Sequence, residues 1–253
     1  MDKRNDLGIN LIGYATGYSA GASGGGGGVT NDAVSFTGTG SNAFWTINWK
    51  DLVIPDTLTS IEGIFANLKS SNIPKLIFND NITSVASACY GYKGNNADLS
   101  GWNITNVNNF SYAFASGHLT SYNFSKHCTA SDVSCKNMFN YYGEHIALDL
   151  SSLYIDNLKT GEAMFSYASV TSVDIRNIKN TTGATYKNMF TGCTGLTHID
   201  IRGLTFEGNT STGMLTSVPT TCEIIVKDDN EKTIFSGRFQ SYTNVKTVAE
   251  YEG

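Results

Sequence analysis

Residues 189–201 read Met189-Phe190-Thr191-Gly192-Cys193-Thr194-Gly195-Leu196-Thr197-His198-Ile199-Asp200-Ile201. An apolar pair opens the stretch, a polar turn follows, and an apolar–polar–apolar triplet closes it. That triplet is the alternation of a half-buried strand. Both features recur. The pair returns as Ile64-Phe65, Cys89-Tyr90, Ala113-Phe114, Met138-Phe139, Met164-Phe165 and Met214-Leu215. Along the chain, the second residues of successive pairs lie 25, 24, 25, 26, 25 and 25 apart. The triplet returns as Leu76-Ile77-Phe78, Ala97-Asp98-Leu99, Tyr122-Asn123-Phe124, Leu148-Asp149-Leu150 and Val173-Asp174-Ile175. Leu52-Val53-Ile54 begins that series and Ile224-Ile225-Val226 ends it.

Two columns that keep one period describe a solenoid. A single unit cannot bury its apolar residues alone. Stacked, the triplets form a parallel sheet of short strands and the Met/Phe column lines the core behind it. The expected fold is therefore a repeat solenoid of about seven repeats of roughly 25 residues with little helix. Ser, Thr and Asn make up roughly three residues in ten, and they supply the corners, where short polar side chains bond to the backbone.

The stretch 189–201 resembles the BspA-like leucine-rich repeats. Their usual pattern is Met-Phe, then Cys three residues later, then Leu, then a Leu-Asp-Leu-type strand. Trp102-Asn103-Ile104-Thr105-Asn106-Val107 is similar to the Thr/Ser-Asn-Val corner of the same repeats. The resemblance covers about residues 52–226 and is best at 130–202. It departs from the pattern at Cys89-Tyr90 and Ala113-Phe114, where Met is missing, and Cys193 is the one clear match to the repeat's Cys. It implies a leucine-rich-repeat-like solenoid, and adhesion or recognition rather than catalysis. Similar repeats occur in bacterial surface proteins and in phage tail or capsid appendages.

Composition narrows the functional classes. Charged residues are 15% of the chain, against a usual share of about 25%. The net charge of −5 and pI near 5.3 argue against a nucleic-acid partner, which calls for a basic stripe. No apolar run reaches the roughly 18 residues of a spanning helix, so no membrane insertion is expected. The five cysteines form no C-x-x-C pair, so no metal site and no cofactor is expected. Cys128 and Cys135 lie seven apart and could pair, whereas the plainer reading is buried thiols. Of His118, His127, His145 and His198, none stands in a metal-ligand pattern. Glu144-His145 are merely adjacent, and no catalytic residue is assigned.

The chain divides into an attachment segment (1–22), a glycine-rich linker (23–28), an N-terminal cap (29–50), the solenoid (51–226) and a C-terminal cap (227–253). Asp6 and Asn10 interrupt the apolar start, so it does not read as a secretion signal. Leu7, Ile9, Leu11, Ile12 and Tyr14 are instead expected to dock into a virion structural protein. The glycines Gly24 to Gly28 then serve as a hinge.

Two outward columns carry chemistry. The middle residues of the triplets, Asp98, Asn123, Asp149, Asp174 and Asp200, should face away from the core about 4.8 Å apart. Arg176 and Arg202 are expected to pair with neighbouring Asp rungs. A bridging cation is the lesser alternative. The second column is aromatic: Tyr92, Tyr141 and Tyr167, with Tyr142 alongside. These four are the expected ligand-binding residues, since a ring face stacks on a sugar while Asn, Ser and Thr bond its hydroxyls. The expected function is a non-enzymatic virion appendage, a fibre or receptor-binding protein and a homotrimer, that meets a host-surface polysaccharide or protein. A bacterial surface adhesin is the first alternative and a glycan-acting enzyme the second.

Overall fold

Most of the apolar pairs and triplets lie directly against their own copies in the next turn of the chain, but Leu76-Ile77-Phe78 does not meet Ala97-Asp98-Leu99: Ala97 stands opposite Ile73, and the Phe78 N–H donates to the Gly101 carbonyl. A computed structural model describes residues 34–37, 44–47, 52–54, 56–67, 72–73, 75–94, 96–144 and 146–253. The attachment segment and the glycine run fall outside the described residues, as does His145. Near the start, β1 (Val34–Thr37) pairs antiparallel with β2 (Phe44–Ile47). Then come β3 (Leu52–Val53), β4 (Asn72–Ile73), β5 (Leu76–Ile77) and β6 (Asn96–Ala97), with β3 parallel to β5 and β4 parallel to β6. They are followed by β7 (Val133–Ser134), β8 (Ile146–Asp149), β9 (Ile155–Thr160), β10 (Val170–Asp174), β11 (Ile178–Thr185), β12 (His198–Asp200) and β13 (Glu223–Val226). The chain ends with α1 (Asp229–Arg238), β14 (Val245–Thr247) and α2 (Val248–Glu252).

From β3 onward every described pairing is parallel. One face is the sheet β8-β10-β12-β13-β14 and a second is β7-β9-β11. In the first sheet Leu148, Val173, Ile199, Ile224 and Val245 stand opposite one another, and all five are buried. The fold is thus a parallel-strand repeat solenoid with very little helix. Its strands are short because each turn must bend within 25 residues to meet its own copy.

The Met/Phe pairs build the third side of the core. Phe114, Phe139, Phe165 and Phe190 form a continuous ring stack with centroids 5.5, 5.3 and 5.2 Å apart. Met138, Met164, Met189 and Met214 lie fully buried beside them. One rung departs from the expected register. The Phe65 N–H donates to the Ala88 carbonyl and the Cys89 N–H to that of Ala113. Ala88-Cys89 is therefore the pair of the second rung, not Cys89-Tyr90. Cys89 is 1% exposed while Tyr90 is 38% exposed. The thiol leaves a gap in the ring stack. The Trp102 indole fills the region, with its centroid 6.0 Å from Phe114 and 4.9 Å from Phe78.

The turn that carries each pair follows one rule. Alternate N–H groups cross to the next rung: Gly63 to Ala86, Phe65 to Ala88 and Asn67 to Tyr90, at 3.1, 2.7 and 2.6 Å. The residues between them close tight local turns, as Ile64 N–H to Ile61 and Ala66 N–H to Gly63 show. This geometry requires left-handed backbone two residues before and two residues after the Phe position. The earlier column runs Gly63, Ser87, Tyr112, Asn137, Ala163, Asn188, Gly213. The later column runs Asn67, Gly91, Ser116, Tyr141, Tyr167, Gly192, Ser217. All fourteen have φ between 52° and 78°. A residue with a Cβ gives up about 1–2 kcal/mol in that region, and the inter-rung hydrogen bonds offset it.

The last turn is closed by the C-terminal segment. The Asp228 carboxylate caps α1 by accepting from the Glu231 N–H at 3.0 Å. The buried Glu231 side chain accepts from the Phe206 N–H at 2.9 Å. Phe235 sets its ring edge-on to Phe206 at 5.1 Å. Removing one stacked ring leaves a cavity that its rigid neighbours cannot fill. Phe165→Ala should therefore cost about 3–5 kcal/mol in urea unfolding. Tyr90→Ser should stay within about 0.5 kcal/mol of the parent. A large loss from the Tyr90 variant would restore Tyr90 to the core column.

Candidate functional site

The aspartates of the triplets act first on their own backbone. The Asp98, Asp149, Asp174 and Asp200 carboxylates accept the N–H two residues on, at Ser100, Ser151, Arg176 and Arg202, over 2.8–3.2 Å. They are strand-end caps, and this local use explains their recurrence. Arg176 and Arg202 do not chiefly bridge rungs, contrary to the expected pairing. Each grips the Asp of its own rung, with Arg176 Nε 2.8 Å from Asp174 and Arg202 Nη2 2.7 Å from Asp200. Arg176 reaches the neighbouring Asp200 only at 3.8 Å. Nor does Asp200 face solvent. Its side chain is 1% exposed. Arg202 lies over it and bonds in turn to Glu252 of α2, with its guanidinium carbon 6.0 Å from the Tyr251 ring. No group of three or more His, Cys, Asp or Glu among the described residues is arranged to hold a metal ion.

Hydrogen bonds from Ser100 and Asn123 hold the Asp98 carboxyl down at about 2. Asp149 is lowered likewise by Ser151. A depressed carboxyl contributes stability that is complete above its unfolded value and is lost as pH falls through its folded value. Acid unfolding should therefore show a loss between pH 3.8 and about 2. That loss should shrink in Asp98→Asn, as followed by circular dichroism. The thiols offer no chemistry of their own: all five are free and buried. Cys128 and Cys135 are not paired. Burial pushes Cys128 up to about 11 and Cys193 and Cys222 up to about 12, so none is a ready nucleophile.

The aromatic column divides. Tyr141 and Tyr167 are 62% and 51% exposed. Their rings stack with centroids 5.1 Å apart and planes 9° from parallel. Tyr92 and Tyr142, expected on the same face, are instead fully buried. They stand three residues after the pair, in a column of core positions that also holds Gly117, Ala168, Cys193 and Val218. The Tyr142 hydroxyl donates to the Leu119 carbonyl and accepts from Tyr122 at 2.6 Å. Their rings are not available to a ligand.

Tyr167 has one further neighbour. A Cβ placed on Gly192 would lie 2.4 Å from the Tyr167 ring. Glycine at 192 thus both adopts φ of 78° and lets the ring lie flat on the backbone. Tyr141 and Gly192 cover the two faces of Tyr167, and the free ring face of the pair belongs to Tyr141. A ladder missed by sequence reading runs beside it. Lys93 Nζ donates to the Ser116 carbonyl at 3.2 Å and lies 3.1 Å from His118 Nε2. His118 Nδ1 is 3.8 Å from Glu144. The signal for it was the spacing, since Lys93 and His118 are 25 residues apart, one turn of the solenoid.

Residues 81–201 match DUF285, a family described as "Mycoplasma protein of unknown function". The DUF285 match takes in the five rungs from Cys89 to Phe190 and includes Lys93, His118, Tyr141 and Tyr167. No curated protein and no solved structure matches the chain.

A methyl group at 192 would push Tyr167 off its seat. Gly192→Ala should destabilise the DUF285-matching region by about 1–2 kcal/mol. It should also reduce the near-ultraviolet tyrosine signal of the stacked pair. An unchanged signal would show that the ring does not rest on Gly192.

Proposed function

We propose that the chain is a non-enzymatic recognition module of a virion appendage. It docks through the segment bearing Leu7, Ile9, Leu11, Ile12 and Tyr14. Its solenoid meets a host-surface polysaccharide through Tyr141 and Tyr167. One observation carries the recognition reading: of the three exposed rings at left-handed backbone positions, Tyr112, Tyr141 and Tyr167, the last two stack on one another across adjacent rungs. Placing two such residues there costs about 1–2 kcal/mol each. A stacked aromatic pair returns about 0.5–1.5 kcal/mol. Glycine, present at the same position in the rungs of Gly91 and Gly192, would serve the fold better. The turn ladder accounts for the left-handed backbone but not for the choice of two large, exposed, stacked rings there, and that choice suits a contact surface. The surrounding Asn, Ser and Thr hydroxyls and amides suit a polyhydroxylated ligand. Several weak copies on one particle would gain avidity, which favours a symmetric trimer.

The family match favours a second reading, a bacterial surface adhesin, because its description is of a cellular organism. The recognition face is the same in both readings and only the anchor differs. Adsorption to cells and to a glycan array, measured for the full chain and for Tyr141→Ala/Tyr167→Ala, tests the face. The double variant should keep its melting temperature and lose binding at least ten-fold. Unchanged binding removes the tyrosines from the account. Deletion of residues 1–28 should leave a folded solenoid that no longer joins a virion, and unfolding of the truncated chain or assembly without those residues would overturn the attachment segment.

A further inference from the structure

We propose that the recess beside Tyr141 is a subsite for an acidic pyranose, a sugar residue that carries a carboxylate. The inference rests on the recognition reading above and adds the charge of its ligand. In the column two residues after the pair, Asn67, Gly91, Ser116 and Tyr141 occupy successive rungs. Side chains there lean toward the following rung. A Cβ on Gly91 would lie 2.5 Å from Asn67 Oδ1, as one on Gly192 would meet Tyr167. Tyr141 follows the same lean, onto Tyr167 and away from Ser116. Between the Asn67 amide at Gly91 and the Tyr141 ring, the column carries only the small Ser116 side chain. The Asn67 amide, lying over Gly91, bounds one end of this stretch and the free face of Tyr141 bounds the other. Gly91 and Tyr141 are two rungs apart, about 9–10 Å at the usual strand spacing, which admits one sugar ring stacked on the tyrosine.

The side of this stretch is charged. The Lys93 ammonium is tied to the Ser116 carbonyl. Lysine can only donate, so His118 Nε2 is the acceptor of their contact. Two of the three ammonium protons are then engaged. The third has no acceptor among the described residues. Glu144 stands at the other nitrogen of His118, and its side chain is 80% exposed. Its charge faces His118 Nδ1 and leaves Lys93 unpaired by any carboxylate among the described residues. A pyranose on Tyr141 would bring its carboxylate to the free ammonium proton, a charge-assisted bond of the stronger kind. The Ser116 hydroxyl and the Asn67 amide would take its hydroxyls.

The test uses one sugar in two charge states. The full chain is titrated with tri-galacturonate and with its fully methyl-esterified form by isothermal calorimetry. The acid should bind at least ten-fold more tightly than the ester. Lys93→Gln should reduce the acid to about the level of the ester and weaken the ester far less than the acid. Tyr141→Ala should weaken both, and circular dichroism should show both variants folded. Equal affinity of acid and ester, or acid binding indifferent to Lys93→Gln, overturns the acidic subsite. If both forms then still depend on Tyr141, the recognition reading stands without it. Binding of neither form also overturns the subsite, and the cell-adsorption experiment decides the recognition reading separately.

Discussion

The hydrogen-bond ladder along the turns that carry the apolar pairs is the constraint on which the rest depends. In each turn alternate N–H groups must reach the next rung while the residues between them fold back on themselves. That is possible only with left-handed backbone on both sides of the Phe position. Once the ladder is in place, the ring stack follows, because the Phe side chains then recur at the rung spacing with nearly parallel planes. The sheets on the other sides need less. They are short, and some contacts reduce to single bridges such as Ser84 with Asn109. The corners are held by asparagine side chains that reach one turn away, as Asn81 does to Asp56 and Asn177 to Ser151.

The period, the parallel strands and the buried Met/Phe column were all legible in the sequence, because burial and stacking act on residue type at fixed spacing. The second rung was not. Where Met is missing, both Cys89 and Tyr90 are apolar enough to stand in the column, and only the hydrogen-bond register separates them. The misplacement of Tyr92 follows from that single slip. Counted from Tyr90, Tyr92 falls in the exposed column, whereas counted from Cys89 it falls in the core. Tyr142 shows a different limit: adjacency in sequence to an exposed Tyr141 says little when neighbouring residues point to opposite sides. The burial of Asp200 depends on α2 returning across the sheet from fifty residues away, a contact no local pattern announces.

The candidate site inherits its geometry from the turn ladder. Tyr141 and Tyr167 stack because their backbones are already one rung apart and share one conformation. Lys93 and His118 meet for the same reason. Neither arrangement needed a dedicated loop. A surface of this kind is written one residue per turn, and its neighbours along the solenoid are far apart in the chain. Local sequence around any one of these residues therefore looks unremarkable, and the constellation is seen only when the turns are laid over one another.

That property has a consequence for how such a chain can change. Asn67, Gly91 with Lys93, Ser116 with His118, and Tyr141 come from four consecutive turns. A whole turn gained or lost beyond Gly192 would alter the length of the rod by about 4.8 Å and leave the recess as it is. A turn inserted between Ser116 and Tyr141 would erase the recess while leaving every core contact satisfied. Reach and selectivity are thus separable in this architecture: recombination between repeats can lengthen or shorten the molecule freely at one end, and rewrite its preference outright at the other.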